Sequence, residues 1–161
     1  MRAWLSLGSN IDRERNIRGA LRDLAAEFGE LVVSRVYECE AVGFDGDPFY
    51  NLVVGIDSQL PPLELARAMR AIEDAHGRTR AGDKFAPRTL DIDLLTYGDQ
   101  VLDEGPLRLP RDEILKYAFV LGPLAEVAGG ERHPVDGRSY AALWDAFDQA
   151  AEPLRPVELE S

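Results

Sequence analysis

Asp91 and Asp93 stand two residues apart in the stretch FAPRTLDIDLL, Phe85 to Leu95, which otherwise reads from Leu90 onward as an interior strand. Successive side chains of an extended chain point to opposite faces, so Leu90, Ile92 and Leu94 share one face while Asp91 and Asp93 share the other with Thr89 and Leu95. At a rise of about 3.3 Å per residue, the two carboxylates are rooted roughly 6 to 7 Å apart. That separation suits two Mg²⁺ ions about 3.5 to 4 Å apart, each bound by oxygen at about 2.0 to 2.1 Å, with phosphate and water completing the octahedra. A lone D-x-D also arises on the solvated face of an ordinary strand. Here, however, the preceding run GRTRAGDKFAPR sets Arg78, Arg80, Lys84 and Arg88 directly before the aspartates. Cations and carboxylates together supply what a complex of metal and polyphosphate requires.

Strands and helices must hold these groups in place. AWLSL predicts a first strand closed by a turn at Gly8-Ser9-Asn10, and the next segment puts Ile17, Leu21, Leu24 and Phe28 on one helical face. LVVSRVYE and FYNLVVGID are β-rich runs that can pair across the loop CEAVGFDGDP. Pro61 and Pro62 open a second helix with Leu65, Met69, Ile72 and His76 in register and Gly77 placed to end it. His76 reads as a helix-end residue rather than a metal ligand. YGDQ predicts a hairpin turn into Val101-Leu102, and FVLGPLAEVA and SYAALWDAF predict helices, the second capped by Ser139. The order β-α-β-β-α-β is the split βαβ arrangement: an α+β, ferredoxin-like core with an antiparallel sheet flanked by helices, followed by C-terminal elaborations.

Composition narrows the classes of partner. The 161 residues are 45% hydrophobic, enough for one domain with a real core, and no stretch is apolar for long enough to cross a membrane. The start, MRAWLSLGSN, has too short an apolar run for a secretory signal, and the single Cys39 closes no internal disulfide, so a reducing cytoplasm is expected. A formal net charge of −11 disfavours nucleic acid and anionic membrane as partners, since both are bound through basic surface. No G-x-x-x-x-G-K-[ST] run is present, which disfavours a Walker-type kinase.

In this order along the chain, LSLGSNI, FYN, IEDAHGRTR, FAPRTLDIDLL and FVLGPLAEVA resemble the 6-hydroxymethyl-7,8-dihydropterin pyrophosphokinase family, from about residue 4 to the region of Gly137. The resemblance implies a single pyrophosphokinase domain, residues 1–161, that transfers the terminal diphosphate of ATP to the pterin hydroxymethyl group in folate biosynthesis. AMP leaves, and two Mg²⁺ ions take part. It further implies that Asp91 and Asp93 hold the metal, that Arg78 and Arg88 are catalytic, and that Glu73, Arg80, Arg88 and Arg111 contact ATP. Asn51 matches the amide that reads the pterin edge, since a carboxamide offers both a donor and an acceptor. Phe49 and Phe119 match the aromatics that sandwich the ring, and Gly43 lies in the loop lining that pocket. The partners implied are ATP and the pterin, with the protein a monomer. Gly8-Ser9-Asn10 could cradle phosphate but reads better as a structural turn.

Some positions depart from the family pattern. Pro110-Arg111 stands where Pro-His is usual, Tyr117 where an arginine is usual, Phe85-Ala86 for Trp-Gly, and Cys39-Glu40-Ala41 for T-P-P. Lys116 cannot reproduce the flat, forked donation of the missing arginine. Two other readings are therefore kept. One is a divergent paralogue that binds pterin or nucleotide without this activity. The other is a two-metal nucleotidyltransferase, which the long separation of Gly8-Ser9 from Asp91-x-Asp93 opposes.

Overall fold

The structure, a computed structural model, describes residues 1–40, 48–76, 90–105, 107–150 and 152–158. Its elements run β1 (Arg2–Ser9), α1 (Arg13–Phe28), β2 (Val32–Val33), β3 (Val36–Cys39), β4 (Phe49–Asp57), α2 (Pro62–Ala75), β5 (Asp91–Tyr97), β6 (Leu102–Glu104), β7 (Leu107–Leu109), a 3₁₀ turn Asp112–Leu115, α3 (Ala118–Ala128), α4 (Tyr140–Ala146) and β8 (Arg155–Val157). The main sheet is ordered β5-β1-β4-β3-β8, with β2 also on β4. Its pairings are antiparallel. Taking β2 and β3 as one interrupted strand, this is the ferredoxin-like order expected from the sequence.

Sequence alternation sorts the two faces of the sheet. Leu5, Leu7, Leu52, Val54, Ile56, Ile92 and Leu94 enter one core with Ile17 and Leu24 of α1 and Leu65, Met69 and Ile72 of α2. Trp4, Val53 and Leu95 enter a second core with Val120, Leu121 and Leu124 of α3 and Tyr140 and Leu143 of α4. Each fully buried Leu or Ile contributes about 1.5 to 3 kcal/mol against the ordering cost of the chain. Asp91 and Asp93 share the face of Leu95, as alternation requires. A register irregularity between Trp4 and Leu5 sets the extra Leu95 between the pairs Leu5–Leu94 and Trp4–Thr96.

Several local expectations hold. Pro62 opens α2, which ends at Ala75 with His76 as its cap residue. His76 Nε2 lies 2.8 Å from Asp23 Oδ2 on α1, a tie between the two helices. The Ser139 hydroxyl accepts from Ala142 N at 3.1 Å and caps α4. Gly77 lies outside the described residues. Among the described residues, no helix is long and apolar enough to cross a membrane.

Three expectations need correction. The strand β1 continues through Gly8 and Ser9, so the turn begins only after them. YGDQ does turn the chain, with Gly98 at φ 58, but β6 pairs with β7 rather than returning along β5. The run LVVSRVYE is two strands, broken at Ser34. There the Ser34 amide donates to Val53 O at 2.9 Å, and the Ser34 hydroxyl accepts from Val53 N at 2.9 Å. A side chain thus replaces one rung of the ladder, which periodicity cannot reveal. Ser34→Ala should leave the buried Val53 N–H unpaired and cost about 1 to 3 kcal/mol. A urea titration in which the midpoint of this variant matches that of the parent would contradict it.

Candidate active site

The site is built on one row of backbone pairs. Gly8 in β1 faces Asn51 of β4 on one side and Asp91 of β5 on the other. Directly paired residues project from the same face, so the Asn51 amide and the Asp91 carboxylate emerge together. One step along, Ser6 lies between Val53 and Asp93. Val53 is in the core under α3, whereas Asp91 and Asp93 are only half-buried. The polar row therefore begins where the cover of α3 and α4 ends.

Gly8 is needed for close approach. A Cβ built there would lie 2.8 Å from Asn51 Oδ1 and 3.7 Å from Phe49 Cδ1, so both side chains lie over the glycine. Asn51 is only 6% exposed, and its amide is also hydrogen-bonded to the neighbouring Cys39 thiol. Burial pushes that thiol up to about 11, with Asn51 pulling the other way, so Cys39 stays protonated at neutral pH and is no nucleophile. Tyr37, paired with Asn51 from β3, is likewise raised to about 12 by burial and by its bond to Glu126. The Cys39 and Tyr37 side chains next to Asn51 thus stay uncharged at neutral pH, and the Asp91 carboxylate lies across Gly8 from it.

Phe119 is in the first turn of α3, the helix that packs over this face. Its ring stacks on Tyr117 at a centroid distance of 5.0 Å and an interplanar angle of 18°. The tyrosine that departs from the family pattern thus backs the aromatic matched to the pterin ring. Such a stack contributes about 0.5 to 1.5 kcal/mol beyond burial.

At the aspartate end, Arg111 Nη2 lies 3.6 Å from Asp93 Oδ1, and its Nε is paired with Glu113. Its backbone amide donates to Leu95 O at 2.9 Å, which fixes Arg111 beside β5. Glu73 is 5% exposed, and its Oε2 accepts the Ile92 amide at 2.7 Å. β5 is the terminal strand of the sheet, so this carboxylate holds the backbone between the two aspartates from outside. That contact went unread in the sequence, which carries no signal for a helix acid bonded to a distant amide. Gly8 was likewise read as a turn, because its partners are visible only once the register is known.

The structure thus brings together Phe49, Asn51, Asp91, Asp93, Arg111 and Glu73 around β1, β4 and β5, with Phe119 on the covering helix. Arg78, Arg80, Arg88 and Gly43 lie outside the described residues. Among the described residues, no group of three or more His, Cys, Asp or Glu side chains could hold a metal. The pair of carboxylates Asp91 and Asp93 nevertheless fits Mg²⁺, which commonly takes one or two protein carboxylates and completes its octahedron with phosphate and water.

An antiparallel α+β sheet that carries paired carboxylates and a buried amide on one face is compatible with phosphate chemistry, and comparisons with known proteins place the chain more closely. The model of the 7,8-dihydro-6-hydroxymethylpterin-pyrophosphokinase family matches residues 4–129, and the chain belongs to that family of diphosphate-transferring enzymes of folate synthesis. It is 39% identical to the 2-amino-4-hydroxy-6-hydroxymethyldihydropteridine pyrophosphokinase of Pseudomonas aeruginosa, over 98% of this chain and 95% of that protein. It is 32% identical to the folic acid synthesis protein fol1 of Pneumocystis carinii, over 95% of this chain but only 21% of that longer protein. The fold is shared with the crystal structure of wild-type Plasmodium falciparum HPPK-DHPS with SDX-DHP, at a TM-score of 0.70 and 15% identity, covering 90% of this chain and 43% of that one.

Two substitutions test this geometry. Gly8→Ala should push the Asn51 amide out of place while the fold survives, because the group that must move is the end of a side chain. Pterin affinity measured by titration calorimetry should fall, with the melting temperature nearly unchanged; parent-like affinity would refute the close-approach argument. Glu73→Ala should remove the acceptor for Ile92 N–H, at a cost of about 1 to 3 kcal/mol, whereas Glu73→Gln keeps an oxygen there and should lose less. Equal denaturation midpoints for the two variants would count against the clamp on β5.

Proposed function

We propose that this chain transfers the terminal diphosphate of ATP to 6-hydroxymethyl-7,8-dihydropterin, with both substrates held against the open half of the sheet. The hydroxymethyl oxygen bonds to the β-phosphorus, the bond from that phosphorus to the α,β-bridging oxygen breaks, the hydroxyl proton is lost, and AMP departs. The observation that carries this reading is the row Asn51, Gly8, Asp91, which sets a reader of a neutral heterocycle beside a pair of anions.

Asp91 and Asp93 would hold Mg²⁺, two ions on the family pattern. When bound, the metal would neutralise charge on the polyphosphate. Asn51 binds the lactam edge of the pterin with one donor and one acceptor. Phe49 and Phe119 stack on the ring and, with Asn51, orient the hydroxymethyl oxygen toward the aspartates. Fixing two reactants in this way supplies much of the rate, since phosphoryl transfer rests mainly on positioning and charge stabilisation. Arg111 sits beside Asp93, within reach of a polyphosphate bound there. Glu73 acts through the backbone of β5 as a positioning residue. Arg78, Arg80 and Arg88 are assigned to the triphosphate and Gly43 to the pterin loop on the family likeness, and the chain is read as a cytoplasmic monomer.

Purified protein incubated with ATP, Mg²⁺ and the pterin should yield AMP. ADP would indicate transfer of one phosphate, and neither product would favour the binding-only reading. Asp91→Asn and Asp93→Asn preserve shape but remove charge, so turnover should fall by orders of magnitude with the fold intact by circular dichroism. Parent-like turnover of either variant at limiting Mg²⁺ would remove that aspartate from the metal site.

A further inference from the structure

The segment 152–157 crosses from one side of the proposed pterin slot to the other. On one side, β8 pairs with β3 through Val36–Val157, Tyr37–Pro156 and Glu38–Arg155, and an Arg155–Glu38 ion pair joins the same strands. β3 in turn pairs with β4 at Tyr37–Asn51 and Cys39–Phe49, the strand positions of the pterin side. On the other side, the segment reaches α3. Leu154 packs so closely on Gly122 that a Cβ there would lie 2.6 Å from Leu154 Cδ1. The Glu152 carboxylate accepts the amide of Ala118 at 3.3 Å.

That last contact meets a specific need. The first amides of a helix lack partners within it, and Tyr117, at the cap position of α3, makes no side-chain cap. A carboxylate is favoured there by both the hydrogen bond and the helix dipole. Ala118 immediately precedes Phe119. A cavity of about 530 Å³ lies beside α3 at Gly122, Ala125 and Glu126 and is lined also by Tyr37, Trp144, Glu152 and Leu154, so the middle of the helix does not rest directly on β3. Farther along α3, Glu126 is bound to Tyr37 Oη at 2.5 Å and to the amide of Arg35 at 2.8 Å. Glu126 thus anchors the far part of α3 to the sheet, and Glu152 anchors its beginning.

We propose that Glu152, carried by β8 and Leu154, is a positioning residue that fixes the first turn of α3 and thereby the distance of Phe119 from the Phe49 and Asn51 side of the pterin slot. The proposal rests on the pterin reading above. Glu152 touches the helix and not the reacting atoms, so its effect belongs to pterin affinity. Nucleotide affinity, set at Asp91, Asp93 and the basic residues, is independent of it.

The test compares Glu152→Ala and Glu152→Gln with the parent by calorimetric titration of the pterin in the presence of Mg²⁺ and a non-hydrolysable ATP analogue, and of the analogue alone. Loss of a helix cap corresponds to about a fivefold weakening, which is expected for the pterin with Glu152→Ala and not for the analogue. Glu152→Gln retains an oxygen that accepts from Ala118 and should recover most of the affinity. Unchanged pterin affinity in Glu152→Ala, an equal loss for the analogue, or no recovery in Glu152→Gln would each overturn the proposal. Amide exchange at Ala118, read by NMR without ligands, separates this idea from the reading it rests on. Faster exchange in Glu152→Ala with a parent that binds no pterin would sink the pterin reading and leave the anchor of α3 standing. Unchanged exchange would overturn the anchor itself.

Discussion

Because side chains along a strand alternate with a period of two, the pairing of Gly8 with Asn51 on one side and Asp91 on the other decides on which face every polar group of the site emerges. A slip of one residue between β1 and β5 would send both aspartates into the layer filled by α1 and α2 and turn Ile92 and Leu94 toward the site. The apolar demands of Leu5 and Leu7 on β1 and of Ile92 and Leu94 on β5 forbid that slip, since all four are buried. The hydrophobic core therefore aligns the chemistry. Glycine at the centre of the row completes the alignment, because any larger residue would occupy the space that the Asn51 amide needs.

The uneven cover of the second face follows from the short reach of α3 and α4. Val53, Leu95 and Trp4 lie under these helices, and the same strands run on beyond them to Asn51, Gly8 and Asp91. One surface thus serves as packing interface at one end and candidate binding wall at the other. The transition occurs within one alternation of each strand, from Val53 to Asn51 and from Leu95 to Asp93. Apolar walls close beside the polar row lower the local dielectric, which strengthens each interaction that a bound substrate makes there.

Much of this was legible in the chain because it is local. The alternation of Leu90, Ile92 and Leu94 against Asp91 and Asp93 needs no knowledge of neighbours, and neither does the helix opened by Pro62. The ordered motifs carried the family. What escaped depends on partners distant in sequence. The bond from Glu73 to the Ile92 amide spans two elements, and the value of Gly8 lies in strands far from it. The pairing of β6 with β7 could not be told from a return along β5, because short runs carry too few alternations to choose a partner. The strand β8 contains Pro156, which argues against a strand unless it lies at an edge, and an edge is where it lies.

The ion pair of Arg111 with Asp93 has a consequence for how a metal would enter the site. The carboxylate is not a bare charge in solution, since a tethered guanidinium already serves as its counterion. If Asp93 held a divalent ion, Arg111 would have to give up this contact, so binding would be an exchange of counterions. The net gain in local positive charge at Asp93 would then be smaller than the charge of the metal itself, and the released guanidinium would remain beside any polyphosphate bound there. Glu113, paired with the same guanidinium, would keep it close. In a chain of net charge −11, Asp93 thus carries a counterion of its own before any ligand binds.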